Sequence, residues 1–176
     1  MESKRYINLN GTFYQKDAPV LGSSNRAFLY GDALFESMHA NGTTVQFFDL
    51  HYKRLIDSSK ILHFELPEYF SFDFMKNEIR RLIQKNRSFK GSRIRLSLFR
   101  DSGGLFTPST NRCSYLIEQS ELPFSNYRLN TKGLVIDIFD RIRKPFNILS
   151  GMKSANSLLF VLAGIYKKEN NFDDCL

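Results

Sequence analysis

Two Asn-Gly pairs constrain this chain more than anything else near its start. Tyr6-Ile-Asn-Leu9 and Thr12-Phe-Tyr-Gln15 flank Asn10-Gly11, and residues 34–40 and 43–47 flank Asn41-Gly42. A type I′ turn needs positive φ at both central positions, which Asn tolerates and Gly adopts freely. Each pair therefore predicts an antiparallel hairpin.

Helical periodicity follows. Asp49 is an N-cap candidate for a helix reaching Leu62, with Tyr52, Leu55, Ile56, Ser59 and Leu62 on one face. A second helix is predicted over 74–85, where Met75, Ile79, Leu82 and Ile83 form one stripe and basic residues the other. The segment 93–99 alternates, with Ile94, Leu96 and Leu98 on one face and Arg93, Arg95 and Ser97 on the other. Strands are also expected over 113–119 and 133–140. A polar, proline-containing stretch at 120–127 connects the two. The expected fold class is α+β. It comprises an N-terminal α/β sandwich-like domain with hairpins and two helices (1–119), a connector (120–127) and the first part of a second, mostly β, domain (128–176).

The chemistry-bearing residues leave alternatives open. Lys153 ends the segment 146–153 and opens the apolar segment 154–166, predicted to be a helix beginning at that junction. Partial burial among small and apolar neighbours would favour its neutral amine, a nucleophile toward carbonyl carbon; a surface lysine with its head in water is the other reading. Arg54 is either a surface residue of the first helix or a fork for a phosphate. Arg93 and Arg95 share one strand face, as a solvated edge or a carboxylate site. Tyr30 and Phe35 flank the Tyr30-Gly31-Asp32 turn, either walling a small-molecule pocket or packing into the core.

Charge decides less. The balance is 25 Lys+Arg against 18 Asp+Glu, net +7, but the basic residues are dispersed and no nucleic-acid signature accompanies them. A non-catalytic basic module binding an anionic partner is the rival from another class. Cys113 and Cys175 are far apart and the three histidines scattered, so neither a disulfide scaffold nor a metal site is expected. With no signal pattern and no membrane-length apolar run, a cytoplasmic location is expected.

Four segments together carry a resemblance. They are Arg26 to Ser37, His51-Tyr-Lys-Arg-Leu55 with Ser58-Ser59, Arg93-x-Arg95 with Gly103-Gly104, and Met152-Lys153-Ser-Ala-Asn156. In order and approximate spacing they resemble the fold-type IV (class IV) pyridoxal-phosphate-dependent aminotransferase family. That group includes branched-chain aminotransferases, D-amino-acid aminotransferases and aminodeoxychorismate lyases. The resemblance implies pyridoxal 5′-phosphate as cofactor, Lys153 as the lysine that bonds its aldehyde and shuttles a proton, and Arg54 on its phosphate. It further implies Tyr30 and Phe35 along the substrate pocket and Arg95 on a substrate carboxylate, with Arg93 a further substrate-binding candidate on the same strand face. Substrates would be an amino acid and a 2-oxo acid, and the expected assembly is a homodimer acting on neither nucleic acid nor membrane. Ser154-Ala-Asn156 after the lysine is closer to the lyase pattern, so 4-aminobenzoate formation is the alternative activity. The family's second domain continues beyond the equivalent of Leu176, including the acid that pairs with the cofactor ring nitrogen. A C-terminally truncated member, itself of doubtful activity, is therefore expected.

Overall fold

The computed structural model describes residues 5–176. Contacts divide the chain into two compact units, one running to Asn126 and including Met152–Ala155, the other made of Tyr127–Gly151 and Asn156–Leu176.

The first unit is built on an antiparallel sheet. Strand β1 (Tyr6–Leu9) turns at Asn10 (φ 49°) and Gly11 (φ 86°) into β2 (Thr12–Gln15). The double positive φ is the signature expected of the Asn-Gly pair. The second hairpin differs from expectation. Strand β3 (Ala33–Asn41) pairs with β4 (Thr44–Val45) so that Asn41 lies opposite Thr44. Gly42 (φ 59°) and Thr43 are thus the two central residues, and Asn41 belongs to the strand. Glycine with positive φ at the first central position marks a type II′ turn, which matches strand twist as well as type I′ does. Strands β5 (Ser92–Arg100) and β6 (Cys113–Glu121) complete the order β2-β1-β6-β5-β3-β4.

Two helices cover one face. Helix α2 (Phe48–Ile61) begins two residues earlier than an Asp49 cap predicts. Phe47 occupies the cap position in a left-handed conformation without a side-chain cap bond. Asp49 lies in the first turn, where a carboxylate still complements the positive end of the helix dipole. Helix α3 (Phe72–Asn86) is capped by Ser71, whose hydroxyl accepts from the Phe74 N–H, and its stripe of Met75, Ile79, Leu82 and Ile83 is fully buried. Each such side chain contributes about 1.5–3 kcal/mol on removal from water. Ile94, Leu96 and Leu98 of β5 meet this stripe, with Leu34, Met38 and Ala40 of β3 and Leu55 of α2. Glu36 and Glu78 are also buried on these elements (each 1% exposed). The opposite sheet face carries Phe35, Ser37, Arg93, Arg95 and Ser97, and only a small apolar cluster of Ile7, Ala33, Phe99 and Leu116. A short helix α1 (Arg26–Tyr30), not foreseen, is capped by Asn25 and ends at left-handed Gly31 (φ 66°).

In the second unit the strand expected over 133–140 contracts to β7 (Ile136–Asp137), paired in parallel with β8 (Asp174–Cys175). Helix α4 spans Leu158–Glu169. It therefore starts five residues after Lys153 rather than at it, because Ser154 and Ala155 are held as extended chain in the first unit.

Candidate active site

The outer edge of β3 is free where β3 begins, since β4 pairs only with Ala40 and Asn41. Chain from after the connector fills that gap. The Phe35 N–H donates to the Lys153 carbonyl at 2.8 Å, the Ala155 N–H donates to the Ala33 carbonyl at 2.9 Å, and Ser154 bridges Leu34 in antiparallel register. Met152 on one side enters the helix-covered core, and Ala155 on the other packs on the Ile7–Ala33–Phe99–Leu116 cluster. Lys153 is thus a half-buried residue pinned at both flanks and placed on a sheet edge, not the first residue of a helix.

Its side chain lies on the sheet face away from the helices. Lys153 Nζ is 5.2 Å from the centroid of the Phe35 ring, and the Arg95 guanidinium carbon is 3.9 Å from the same centroid. A ring quadrupole attracts cations over its face, so Phe35 offers a favourable contact to each of these two basic groups. The register explains how: Ser37 lies opposite Arg95 and Arg95 opposite Glu118, so the arginine sits diagonally from Phe35. Burial draws the Arg95 guanidinium below its usual range, with Arg93 adding to the effect and Glu118 opposing it. Arg95 Nε also donates to Ser97 Oγ at 3.3 Å. Arg93, opposite His39, is exposed.

Arg54 meets a partner its sequence context did not reveal. Its Nε donates to Glu36 Oε1 at 2.6 Å and its Nη2 to Glu36 Oε2 at 2.5 Å, a bidentate fork onto a carboxylate of the same chain. His51 Nδ1 lies 2.7 Å from the same Oε2. The hydrogen bonds that Arg54 donates to Glu36 hold its guanidinium more firmly protonated than usual, against a smaller effect of burial. Two of the five N–H groups of Arg54 serve this fork, which leaves the Nη1 edge for another anion. The side chain is 43% exposed.

Tyr30 contacts other residues. Its ring is 5.6 Å from that of Phe106 and 4.8 Å from the Arg26 guanidinium carbon. Arg26 is buried and pairs with Asp32 (2.8 Å), while its Nη1 donates to the carbonyls of Gly103 (3.0 Å) and Leu105 (2.6 Å). Of the predicted site residues, the fold therefore gathers Lys153, Phe35 and Arg95 on one face and sets Arg54 on the adjacent Glu36. It assigns Tyr30 to the 103–106 loop. Glu36, His51 and Arg26 were missed. Glu36 was readable, since alternation along β3 puts it between Leu34 and Met38 on the apolar face, where a carboxylate demands a partner.

The family model described as amino-transferase class IV matches residues 33–176. The chain belongs to this family. Solved structures share the fold of this class IV chain. A T.th. branched-chain amino acid aminotransferase, complexed with N-(5′-phosphopyridoxyl)-L-glutamate, superposes with a TM-score of 0.83 at 22% identity, covering 98% of this chain and 58% of its own. A branched-chain aminotransferase from Thermoproteus uzoniensis with norvaline gives 0.80 at 15%, covering 98% and 59%. A putative 4-amino-4-deoxychorismate lyase from Legionella pneumophila gives 0.76 at 23%, covering 92% and 57%. The class IV chain thus spans somewhat under three-fifths of the length of these structures. No curated protein sequence matches it significantly. Among the described residues no helix is long and apolar enough to cross a membrane, and no group of three or more His, Cys, Asp or Glu is placed to hold a metal ion.

Proposed function

We propose that this class IV chain carries the lysine and phosphate-clamp half of a pyridoxal 5′-phosphate site, serving amino transfer between an amino acid and a 2-oxo acid. The observation that carries the reading is the docking of Lys153 on the free edge of β3, with its amine over the Phe35 ring that Arg95 also contacts. The donor set fits the cofactor: a half-buried primary amine suits an aldehyde, and a guanidinium with a free edge suits a phosphate monoester. Lys153 and Arg54 would hold the group at those two points. When bound, pyridoxal phosphate supplies an electron sink for the charge that develops at the substrate carbon bearing the amine.

The rest is done by the chain itself. Lys153 Nζ is the basic atom able to take up and return a proton, and Phe35 and the two β3 backbone bonds fix where it stands. Arg95, half-buried against the Phe35 ring, is suited to a substrate carboxylate, with Arg93 as a more exposed second cation on the same face. Tyr30 is the pocket residue attached to the 103–106 loop. A homodimer is proposed as the working assembly, in the cytoplasm. One feature favours a second activity, elimination of pyruvate to leave 4-aminobenzoate: the small residues Ser154 and Ala155, then Asn156, follow the lysine where the branched-chain pattern has an aromatic.

The test is to supply the chain with pyridoxal phosphate and assay a panel of amino acids with 2-oxo acids, and 4-aminobenzoate release from aminodeoxychorismate in parallel. Transfer or release that is lost in Lys153→Ala supports the proposal and tells the two activities apart. A chain that does not bind the cofactor, or an active preparation whose Lys153→Ala variant is as active as the parent, refutes it.

A further inference from the structure

We infer that Glu36, seconded by His51, is the positioning residue for a phosphate-monoester site at Arg54. The inference rests on the proposed phosphate role of Arg54 and adds what makes that arginine an ordered clamp.

The carboxylate of Glu36 stands at a core-facing position of β3 between Leu34 and Met38, with 1% of its surface exposed. A lone carboxylate there would be strongly disfavoured, so its partners are part of the fold. All three of its short contacts come from one helix. Oε1 accepts from Arg54 Nε at 2.6 Å, Oε2 accepts from Arg54 Nη2 at 2.5 Å, and Oε2 lies 2.7 Å from His51 Nδ1. His51 and Arg54 are three residues apart in α2 and so share a face of the helix. Glu36 consequently fixes both the position and the plane of a guanidinium that is otherwise 43% exposed and would sample many rotamers. The edge it leaves open, Nη1, is the one that can meet an incoming anion.

Two effects of Glu36 on such an anion are opposed. Its negative charge repels a phosphate, while its fork orders the donor in advance. On charge alone, Glu36→Gln would tighten phosphate binding. If ordering dominates, the same variant weakens it, because a glutamine cannot accept from both N–H groups of the fork. The immobilisation of one long side chain is worth up to about tenfold in affinity, which sets the expected size of the effect.

The experiment measures dissociation constants of pyridoxal 5′-phosphate and of pyridoxal for the parent chain and three variants, and takes their ratio as the phosphate increment. Arg54→Met is expected to abolish the increment. Glu36→Gln is expected to reduce it by about threefold to tenfold with pyridoxal binding unchanged, and His51→Gln to reduce it by a smaller factor. No increment in the parent, or one that survives in Arg54→Met, refutes the phosphate role of Arg54 and the inference with it. An increment lost in Arg54→Met but retained or enlarged in Glu36→Gln overturns the inference alone. Equal weakening of both ligands in Glu36→Gln marks a purely structural carboxylate and also overturns it. If Glu36→Gln does not fold, His51→Gln decides: an unchanged increment there counts against the positioning role.

Discussion

Arg26→Ala should be among the most damaging single changes in the first unit. Arg26 is 3% exposed, and its Nε sits 2.8 Å from Asp32 Oδ2. Its Nη1 donates to the carbonyls of Gly103, Gly104 and Leu105. Breaking a buried ion pair from one side costs about 3–5 kcal/mol, chiefly through the charge left behind. Asp32 keeps a second partner, Arg100 Nε at 2.8 Å, which places the ion-pair loss near the lower end of that range. The loop carbonyls then lose a charged donor. The chain turns there through two positive-φ glycines, Gly103 and Gly104, and keeps the Gly104–Pro108 bridge and the Ser109 N–H to Gly103 carbonyl bond when Arg26 is removed. The expected cost is about 3–4 kcal/mol. The measurement is native-state hydrogen exchange of β5 and β6 amides, which reports opening of this unit separately from the other. At about 1.4 kcal/mol per factor of ten, protection should fall by two to three orders of magnitude. A fall of less than tenfold would show that Arg26 does not fasten the loop to the sheet.

Further substitutions probe other parts of the fold. Leu82→Ala, at a fully buried position of α3, should lower stability by about 2–5 kcal/mol in urea unfolding, and a change below 1 kcal/mol would contradict the packing described. Gly91→Ala should cost about 1–3 kcal/mol, since a Cβ there would lie 1.9 Å from the Phe124 carbonyl oxygen and force backbone to move; an unchanged melting temperature would refute it. Burial pushes the Cys113 thiol up to about 12, with Asp101 and Glu65 adding and Arg100 opposing, so iodoacetamide at pH 8 should leave it unmodified until the chain unfolds. Ready labelling of Cys113 in the folded chain would contradict that. Arg5 and Ser88 hold Glu121 below the usual carboxylate range, and Lys53 does the same for Asp57. Both groups therefore bind protons more weakly folded than unfolded. Their contribution is complete above roughly pH 5 and is lost as pH falls below about 4, a loss that Glu121→Gln with Asp57→Asn should diminish and urea midpoints against pH would reveal.

Periodicity and turn chemistry were legible because they are local. The Asn10-Gly11 hairpin, the α3 stripe and the inward set Ile94, Leu96 and Leu98 each follow from spacing alone. The Asn41-Gly42 turn slipped by one residue because glycine fits either the second or the first central place of a hairpin loop, and strand pairing chose between them. The start of α4 was misplaced because hydrogen bonds of Lys153 and Ala155 to β3, some 120 positions earlier in the chain, hold 153–155 extended, although Ser154 and Ala155 are unremarkable as helix residues. Lys153 was singled out from its neighbours and from the family likeness, and its role as the reacting amine is part of the proposal above. What surrounds it was not: the ring of Phe35 under both Lys153 and Arg95 depends on register between β3 and β5 and on the docking of a distant segment.

The most direct test of the central claim is chemical trapping at Lys153. The purified chain is mixed with pyridoxal phosphate, reduced with borohydride, digested and mapped by mass spectrometry. A single phosphopyridoxyl group on the peptide holding Lys153, absent in Lys153→Ala and reduced in Arg54→Met, is the expected result. Labelling spread over the exposed lysines, with Lys153 no more reactive than Lys53 or Lys60, would contradict it.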